Sequence, residues 1–261
     1  MILPMLVLAL SACSGLFTAP VTTPSPLSTN TTTPTIGWFP ATVTQTPFPT
    51  TVTLPTEEPL AGVGALILSD QFEEATPWTT GMADNASAVV ERGRIILTAR
   101  PKFSVLSLRT EPMLSDFYAE IEARLNLCRG TDTYGLLLRA TSNIDYYRFA
   151  VNCNGQARAE RVHSGEVVPL QDWLPSGDAP TGAPGEVKFG VWAAGGELRF
   201  FLNNHYQFGV RDPVYQNGTL GVYIISGGMT ETTVSFSDLN ISLVSYASPT
   251  PSASSSLTPT P

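Results

Sequence analysis

Apolar and polar residues alternate along much of the chain between residues 66 and 246. In DFYAEIEARLNL, every second residue from Phe117 to Leu127 is apolar, and most residues between them are polar or charged. A period of two is typical of a β-strand with one buried and one solvated face. Similar short runs recur between turn residues, and no stretch carries a convincing helical period. The pattern predicts an all-β domain of a dozen or so short strands, a sandwich or a barrel.

Glycine and asparagine pairs predict where neighbouring strands join. In EVKFGVWAAGGELRFFLNN, a two-residue turn at Gly195-Gly196 opposes Val191 to Phe200 on one face and Trp192 to Arg199 on the other. The apolar pair then faces the core, so the predicted register is consistent with the alternation. Further turns are predicted at Asn154-Gly155 and Asn203-Asn204.

The chain begins with the apolar run MILPMLVLALSAC, which is too short to span a bilayer, since a spanning helix needs about 20 residues. Its end, Leu10-Ser11-Ala12-Cys13, resembles the lipobox of bacterial lipoproteins, in which the cysteine is diacylated and becomes the new N-terminus. The resemblance implies a signal peptide at 1–13 with Cys13 as the lipidation site. The sequence departs from that pattern because no Lys or Arg precedes Arg92. The alternative is a buried thiol near the start of an ordinary domain.

Residues 14–65 are rich in Thr, Pro and Ser and carry no charge before Glu57. Ten of the 22 prolines precede residue 61. Such a segment buries too little apolar surface to offset its ordering entropy, so we expect a disordered or extended linker. The tail at 247–261 has the same composition. One folded domain is therefore expected at 66–246.

The charge distribution bears on the partners of this domain. All 14 basic residues lie between Arg92 and Arg211, and the whole chain has a net charge of −8. Nucleic acids and anionic lipid headgroups both require a basic surface, so neither is an expected partner. Contact with a membrane is expected only through the lipid on Cys13, on the outer side of a bacterial cell membrane.

The two remaining cysteines form an even pair in a chain predicted to be exported, where disulfides persist. Strands at 117–128, 134–141 and 146–153 are predicted to form an up-and-down meander that brings Cys128 and Cys153 to one end of a sheet. A disulfide between them is expected. Neither cysteine has the setting of a catalytic thiol.

The order of the motifs resembles the concanavalin-like jelly roll. It runs SDQFEEATPWTTG, VVERGRIILTA, DFYAEIEARL, YGLLLRATSNIDYYRFAVNCNGQ, PLQDWLPS, GEVKFGVWAAGGELRFFLNN, GTLGVYI and VSFSDLNI. More narrowly, it resembles bacterial domains related to three-keto-disaccharide hydrolases and laminarinase-type glucanases. These motifs are specific for the fold and say little about activity.

Laminarinase-type enzymes use Glu-x-Asp-x-x-Glu on one strand, with the outer glutamates as nucleophile and general acid. The nearest match is EIEARL at 120–125, where Leu125 replaces the second catalytic carboxylate. We therefore expect no glucanase activity of that type. The three-keto-disaccharide hydrolases offer no short motif to compare.

The aromatic and polar residues that are not assigned to the core fit a role in sugar binding. Sugars are recognised by flat aromatic faces and planar polar groups. If the Gly195-Gly196 hairpin and the meander share one sheet, its outer face forms a groove. The expected lining residues are Trp192, Arg199, Phe201, Tyr118, Glu122, Arg139, Tyr146 and Arg148. The alternative is that Trp192 and Phe201 cover a sheet edge beneath a loop, with Arg199 stacked on Trp192. Trp78 and Trp173 are expected at core or rim positions.

Asp70 and Asp238 are candidate ligands of a structural Ca²⁺ near the meeting point of the termini, since carboxylate oxygens suit that ion. No cofactor is otherwise expected. The sequence thus predicts a monomeric, lipid-anchored surface protein whose jelly roll binds polysaccharide, oligosaccharide or another envelope ligand without catalysis. Two alternatives remain: a glycoside hydrolase of the three-keto-disaccharide type, and a structural, adhesive or sensor ectodomain without sugar binding.

Overall fold

A computed structural model describes residues 59–246 of the chain. The signal peptide with Cys13, nearly all of the predicted linker and the tail lie outside the described residues. Every regular element within 59–246 is a strand. The strands are β1 (Val63–Asp70), β2 (Gly81–Met82), β3 (Ala86–Glu91), β4 (Arg94–Ala99), β5 (Ser104–Leu108), β6 (Phe117–Leu127), β7 (Gly130–Ser142), β8 (Asp145–Cys153), β9 (Gln156–His163), β10 (Glu166–Pro175), β11 (Gly185–Ala194), β12 (Glu197–Leu202), β13 (His205–Arg211), β14 (Thr219–Ile225) and β15 (Thr232–Val244).

The strands form two sheets packed face to face. The nine-stranded sheet has the order β13-β12-β11-β6-β15-β4-β3-β2, with β1 also paired to β15, and the six-stranded sheet has the order β10-β9-β8-β7-β14-β5. One large apolar core lies between them and draws residues from both sheets. Phe149 of the six-stranded sheet packs at ring-centroid distances of 5.3 Å from Phe189 and 4.7 Å from Phe200 of the other sheet. The prediction of an all-β sandwich is confirmed.

The alternation in β6 produces the expected two faces. The inward residues from Phe117 to Leu125 are buried, and Glu122 and Arg124 between them are exposed. Leu127 differs from the prediction, since 51% of its surface is exposed. The pairing of β6 with β15 shifts register between Thr233 and Val234, so the alternation does not carry on to the end of the strand.

The predicted hairpin turns are confirmed, and the hairpin at Gly195-Gly196 has the predicted register. Val191 pairs with Phe200 and Trp192 with Arg199 across the turn at Gly195-Gly196. The turn at Asn203-Asn204 joins β12 to β13, and both asparagines have positive φ angles, 50° and 67°. A two-residue hairpin turn of this type needs positive φ at both positions, and asparagine tolerates it better than most residues. The turn at Asn154-Gly155 joins β8 to β9.

The predicted three-strand meander is wrong at its first step. β6 pairs with β11 and β15 in the nine-stranded sheet, whereas β7 and β8 pair with each other in the six-stranded sheet. The chain therefore changes sheets between Leu127 and Gly130. Cys128 and Cys153 form a disulfide with their Cα atoms 5.9 Å apart. The disulfide thus joins the end of a strand in one sheet to the end of a strand in the other.

The folded chain enters and leaves the sandwich at neighbouring points. β1 begins at Val63, three residues before the expected boundary, and Val63 pairs with Val244 of the last strand. No helix within residues 59–246 is long and apolar enough to cross a membrane.

Candidate functional site

The residues expected to line a groove do not share one face. Tyr118, Glu122, Trp192, Arg199 and Phe201 belong to the nine-stranded sheet. The other three, Arg139, Tyr146 and Arg148, belong to the six-stranded sheet on the opposite side of the core. A groove built from all eight residues is therefore excluded, because β6 lies in a different sheet from β7 and β8.

The chain termini cover the Trp192 side of the nine-stranded sheet. Trp192 is fully buried, and its indole Nε1 donates a hydrogen bond to the Ala61 carbonyl at 2.9 Å. The Arg199 guanidinium lies 4.2 Å from the Trp192 ring and 5.3 Å from the Tyr246 ring. Arg199 Nη1 also donates to the Pro59 carbonyl at 3.2 Å. These contacts place Trp192 and Arg199 beneath the first and last described residues, so they are not an open sugar platform.

Phe201 and Tyr118 belong to the same buried cluster on this face. Their rings meet edge to face at 6.2 Å. The Tyr118 hydroxyl donates to Glu120 Oε1 at 2.9 Å. Burial is the main cause that raises the pKa of Tyr118, and the neighbouring Glu120 carboxylate adds to it. Both rings pack against the sheet and its covering residues, which corrects their assignment to a groove.

Glu122 lies farther along the same face, at the edge of a shallow polar depression. The depression has a volume of about 230 Å³, and its other charged lining residues are Arg94, Arg124, Glu186 and Lys188. Arg124 pairs with Glu186 at 3.4 Å, and both side chains are more than half exposed. This region is a solvated, charge-paired surface, and such pairs contribute little free energy.

Arg139 is a structural residue. Its side chain is fully buried, and its guanidinium donates to the carbonyls of Ser115, Gly195 and Tyr215 at distances from 2.6 to 3.1 Å. Burial lowers the pKa of Arg139, and the nearby Asp116 carboxylate opposes that effect. Arg139 therefore ties loops at one end of the sandwich and does not face a ligand.

Tyr146 and Arg148 remain, on the outer face of the six-stranded sheet. Tyr147, Phe149 and Val151 belong to the core between the sheets. Because side chains alternate along a strand, Tyr146 and Arg148 point away from that core. This outer face carries a second apolar cluster, which includes Tyr146 and Tyr223, with Trp173 packed against it.

A row of aromatic and charged side chains crosses this face. Arg148 on β8 lies opposite Glu160 on β9, and Arg158 lies two residues before Glu160 on the same face. Both guanidiniums form ion pairs with the Glu160 carboxylate, which is 1% exposed. The Arg148 guanidinium lies 5.1 Å from the Tyr223 ring, and that of Arg158 lies 4.9 Å from the Trp173 ring. We call these five residues the arginine cluster.

Gly135 lies on β7, the strand between those that carry Arg148 and Tyr223. It lies between Ala150 of β8 and Tyr223 of β14 and has a φ angle of +154°. A Cβ atom at this position would lie 2.0 Å from the Phe149 carbonyl oxygen, so no side chain fits. The nearest side-chain atom to that Cβ would belong to Phe189 of the core, so the close packing of β7 against β8 requires glycine here.

Part of the hydrogen-bonding capacity of the arginine cluster is unused. Within the described residues, Arg158 Nε is a buried atom without a hydrogen-bond partner. Burial raises the pKa of Tyr223 to about 12. Burial also lowers the pKa of Arg158, and the neighbouring Arg148 cation acts in the same direction. A buried polar atom without a partner costs about 1–3 kcal/mol.

The arginine cluster lacks the groups for glycoside hydrolysis. A retaining glycosidase needs two carboxyl groups about 5–5.5 Å apart. Glu160 is the one carboxylate of the cluster, and two guanidiniums hold it. On the other sheet, Glu120 pairs with Lys188 at 2.9 Å. The arrangement is suited to binding.

Arg158, Glu160 and Tyr223 are not among the binding residues expected from the sequence, and Trp173 was expected only at a core or rim position. The stretch QARAERVH contains a usable signal, since Ala157 and Ala159 alternate with Arg158 and Glu160. That pattern predicts a strand with a charged outer face. It does not show that Arg148 lies on the neighbouring strand, which depends on the pairing.

Asp70, one of the two residues proposed to bind calcium, has a different role in the structure. Its Oδ1 accepts from the Phe72 amide at 2.8 Å, and its Oδ2 accepts from Trp78 Nε1 at 3.0 Å and from Arg109 Nε at 3.1 Å. Asp70 pairs in register with Leu239, next to Asp238. Within residues 59–246, no group of three or more His, Cys, Asp or Glu side chains could hold a metal ion. Asp70 thus anchors the buried Trp78.

The comparisons with known proteins rest on structure alone. No protein-family model matches the chain, and no curated protein matches its sequence. The carbohydrate-binding module CBM66 from Bacillus subtilis superposes with a TM-score of 0.51 at 16% identity, covering 64% of this chain and 96% of that one. A B. subtilis protein of unknown function with a galectin-like fold has a TM-score of 0.51 at 10% identity, covering 69% and 97%.

A third similar structure is the catalytic domain of an endo-1,3-β-glucanase (laminarinase) from Thermotoga petrophila. Its TM-score is 0.50 at 11% identity, covering 70% of this chain and 98% of that one. At these identities the likeness establishes the fold. The expectation of a concanavalin-like jelly roll is confirmed, and the fold is one shared by carbohydrate-binding modules and glycoside hydrolases.

Proposed function

We propose that the outer face of the six-stranded sheet binds carbohydrate at the arginine cluster, without catalysis. The observation that carries this proposal is the row of two guanidiniums between Trp173 and Tyr223, whose arginine side chains are 11% and 22% exposed. Aromatic rings stack on the apolar faces of sugars, and planar donor groups bind their hydroxyls. The fold supports the proposal, since one similar structure is a carbohydrate-binding module.

Calorimetric titration of the full chain with a panel of glucans, mannans, xylans, uronans and their oligosaccharides tests this function. Each spent solution is then assayed for new reducing ends. Saturable heat without new reducing ends is the expected result. New reducing ends would favour a glycoside hydrolase, and no heat with any saccharide would favour a structural, adhesive or sensor domain.

Substitutions locate the site. Arg158→Gln is expected to weaken binding about tenfold, since a hydrogen bond from a charged donor contributes about 1.5–3 kcal/mol. Trp173→Ala removes a stacking ring and is expected to weaken binding by a similar factor. The matched control is Arg124→Gln, an exposed arginine on the other sheet, and it should leave the affinity unchanged. Equal losses in all three variants, or a loss confined to Arg124→Gln, would place the site elsewhere.

We also propose that lipid on Cys13 holds the protein at the outer side of a bacterial cell membrane, with the Thr/Pro-rich segment as a spacer. The support for this proposal is the lipobox-like sequence Leu10-Ser11-Ala12-Cys13 and the abrupt change of composition that follows it. The spacer would carry the binding face away from the membrane surface.

A further inference from the structure

The charges of the arginine cluster indicate what kind of saccharide it would take. We propose that the ligand is acidic, a sugar bearing a carboxylate or sulfate group that the two arginines bind. This inference rests on the proposed carbohydrate-binding function and narrows its ligand class.

The arginine cluster has more positive than negative charge. Arg148 and Arg158 both pair with Glu160, so two cations share one carboxylate. Asp172 is the further carboxylate near Arg158, and it is exposed and has a weaker effect on the pKa of Arg158 than burial and Arg148 do. The cluster therefore has a local positive excess in a chain whose net charge is −8.

The positive excess matters energetically because both arginine side chains are largely buried. The Arg148 side chain is 11% exposed and that of Arg158 is 22% exposed. A charge removed from water is costly unless a counter-charge and hydrogen bonds compensate it. An oxyanion on the ligand would supply the missing counter-charge, whereas a neutral sugar would supply acceptors alone.

The donors have the geometry for an oxyanion. A guanidinium carries five N–H donors in a planar fork that matches carboxylate and sulfate oxygens. Glu160 occupies part of each fork, and both arginine side chains remain partly exposed, so further N–H donors can reach a ligand. The rings of Tyr223 and Trp173 lie against the guanidiniums, so each arginine is fixed in position before a ligand arrives.

Matched ligands separate the effect of charge from that of shape. The full chain is titrated with trigalacturonate and with its methyl ester, which has the same sugar rings without the charges. A second pair, dextran sulfate and dextran, distinguishes sulfate from carboxylate as the source of the charge. We expect the acidic member of at least one pair to bind at least about tenfold more tightly, since charge-assisted hydrogen bonds are about twice as strong as neutral ones. Its affinity should fall as the salt concentration rises.

Each outcome has a distinct meaning. Equal affinity for the charged and neutral members of both pairs, or binding of neutral glycans alone, would overturn the acidic ligand and leave the proposed function standing. Absence of binding to any saccharide would overturn both. Binding of the acidic members with no dependence on salt would also contradict the inference.

Variants of the full chain test the role of the arginines. Arg158→Gln removes the excess charge and should reduce the preference for trigalacturonate over its methyl ester to about unity, whereas Arg158→Lys retains part of it. Arg124→Gln, on the opposite sheet, should retain the full preference. The preference is a ratio measured on one protein preparation, so partial unfolding of a variant does not change it. An undiminished preference in Arg158→Gln would contradict the assignment.

Discussion

At the residue scale, Trp192 and Trp173 show how two tryptophans on outer sheet faces acquire different roles. Trp192 lies beneath residues 59–61 and Tyr246, donates its indole N–H to the Ala61 carbonyl and is fully buried. Trp173 lies on the edge strand β10 and is partly exposed beside Arg158. Both stack with an arginine, and the difference lies in whether another part of the chain covers them.

This difference predicts that alanine substitution of the two tryptophans affects stability and saccharide affinity to different extents. Trp192→Ala should lower the free energy of unfolding by about 3–5 kcal/mol, because it leaves a cavity and an unpartnered Ala61 carbonyl. Trp173→Ala should cost less than half as much. Urea titrations followed by circular dichroism measure the free energy of unfolding of both variants. Saccharide affinity should change in Trp173→Ala and remain unchanged in Trp192→Ala below its unfolding transition. Stability unaffected by Trp192→Ala would show that the terminal residues do not cover this face in solution.

At the element scale, the change of sheet between β6 and β7 organises the molecule. It separates the residues of the predicted meander and places β7 and β8 in the sheet that carries the arginine cluster. Cys128 follows β6 directly and Cys153 ends β8, so their disulfide joins the two sheets across the crossing point.

The disulfide should therefore stabilise the sandwich as a whole. Its closed loop spans 25 residues, and loop-closure entropy then accounts for about 3–4 kcal/mol. A variant with Cys128→Ala and Cys153→Ala should unfold at a lower urea concentration than the native chain, and reductant should not change its stability further. Native chain that unfolds at the same urea concentration with and without reductant would contradict this role.

At the scale of the whole molecule, the first and last strands of the domain lie side by side, and Val63 pairs with Val244. The neighbouring residues Pro59, Ala61 and Tyr246 lie over the nine-stranded sheet. The face that carries the arginine cluster belongs to the opposite sheet. The first and last described residues therefore lie on the face opposite the proposed ligand site.

Lipid anchoring is testable on the same scale. Produced in a bacterium, the full chain should incorporate labelled palmitate and partition into the detergent phase. Cys13→Ala should abolish both, and Thr18→Ala, a change in the adjoining linker, should leave both intact. A Cys13→Ala chain that still carries lipid or still partitions with detergent would exclude Cys13 as the attachment site.

Local patterns in the sequence determined the strands, the hairpin turns and the fold class. Alternation in β6 and turn residues such as Gly195-Gly196 and Asn203-Asn204 act over a few residues, so they can be recognised without knowledge of the rest of the chain. The order of the motifs then predicted the jelly roll. These features depend on side-chain period and backbone preference, which the sequence contains directly.

Only the tertiary structure decided which outer faces are covered and which side chains meet. In the sequence, Trp192 and Arg148 cannot be told apart by position, because both are large side chains with a polar group at outward-facing positions of strands. The terminal residues bury Trp192, whereas Arg148 meets Glu160 and Arg158 of β9 and Tyr223 of β14. Those partners are between 10 and 75 positions away along the chain. The physical reason is that strand pairing between distant segments depends on the packing of the whole core, which no short stretch of sequence contains.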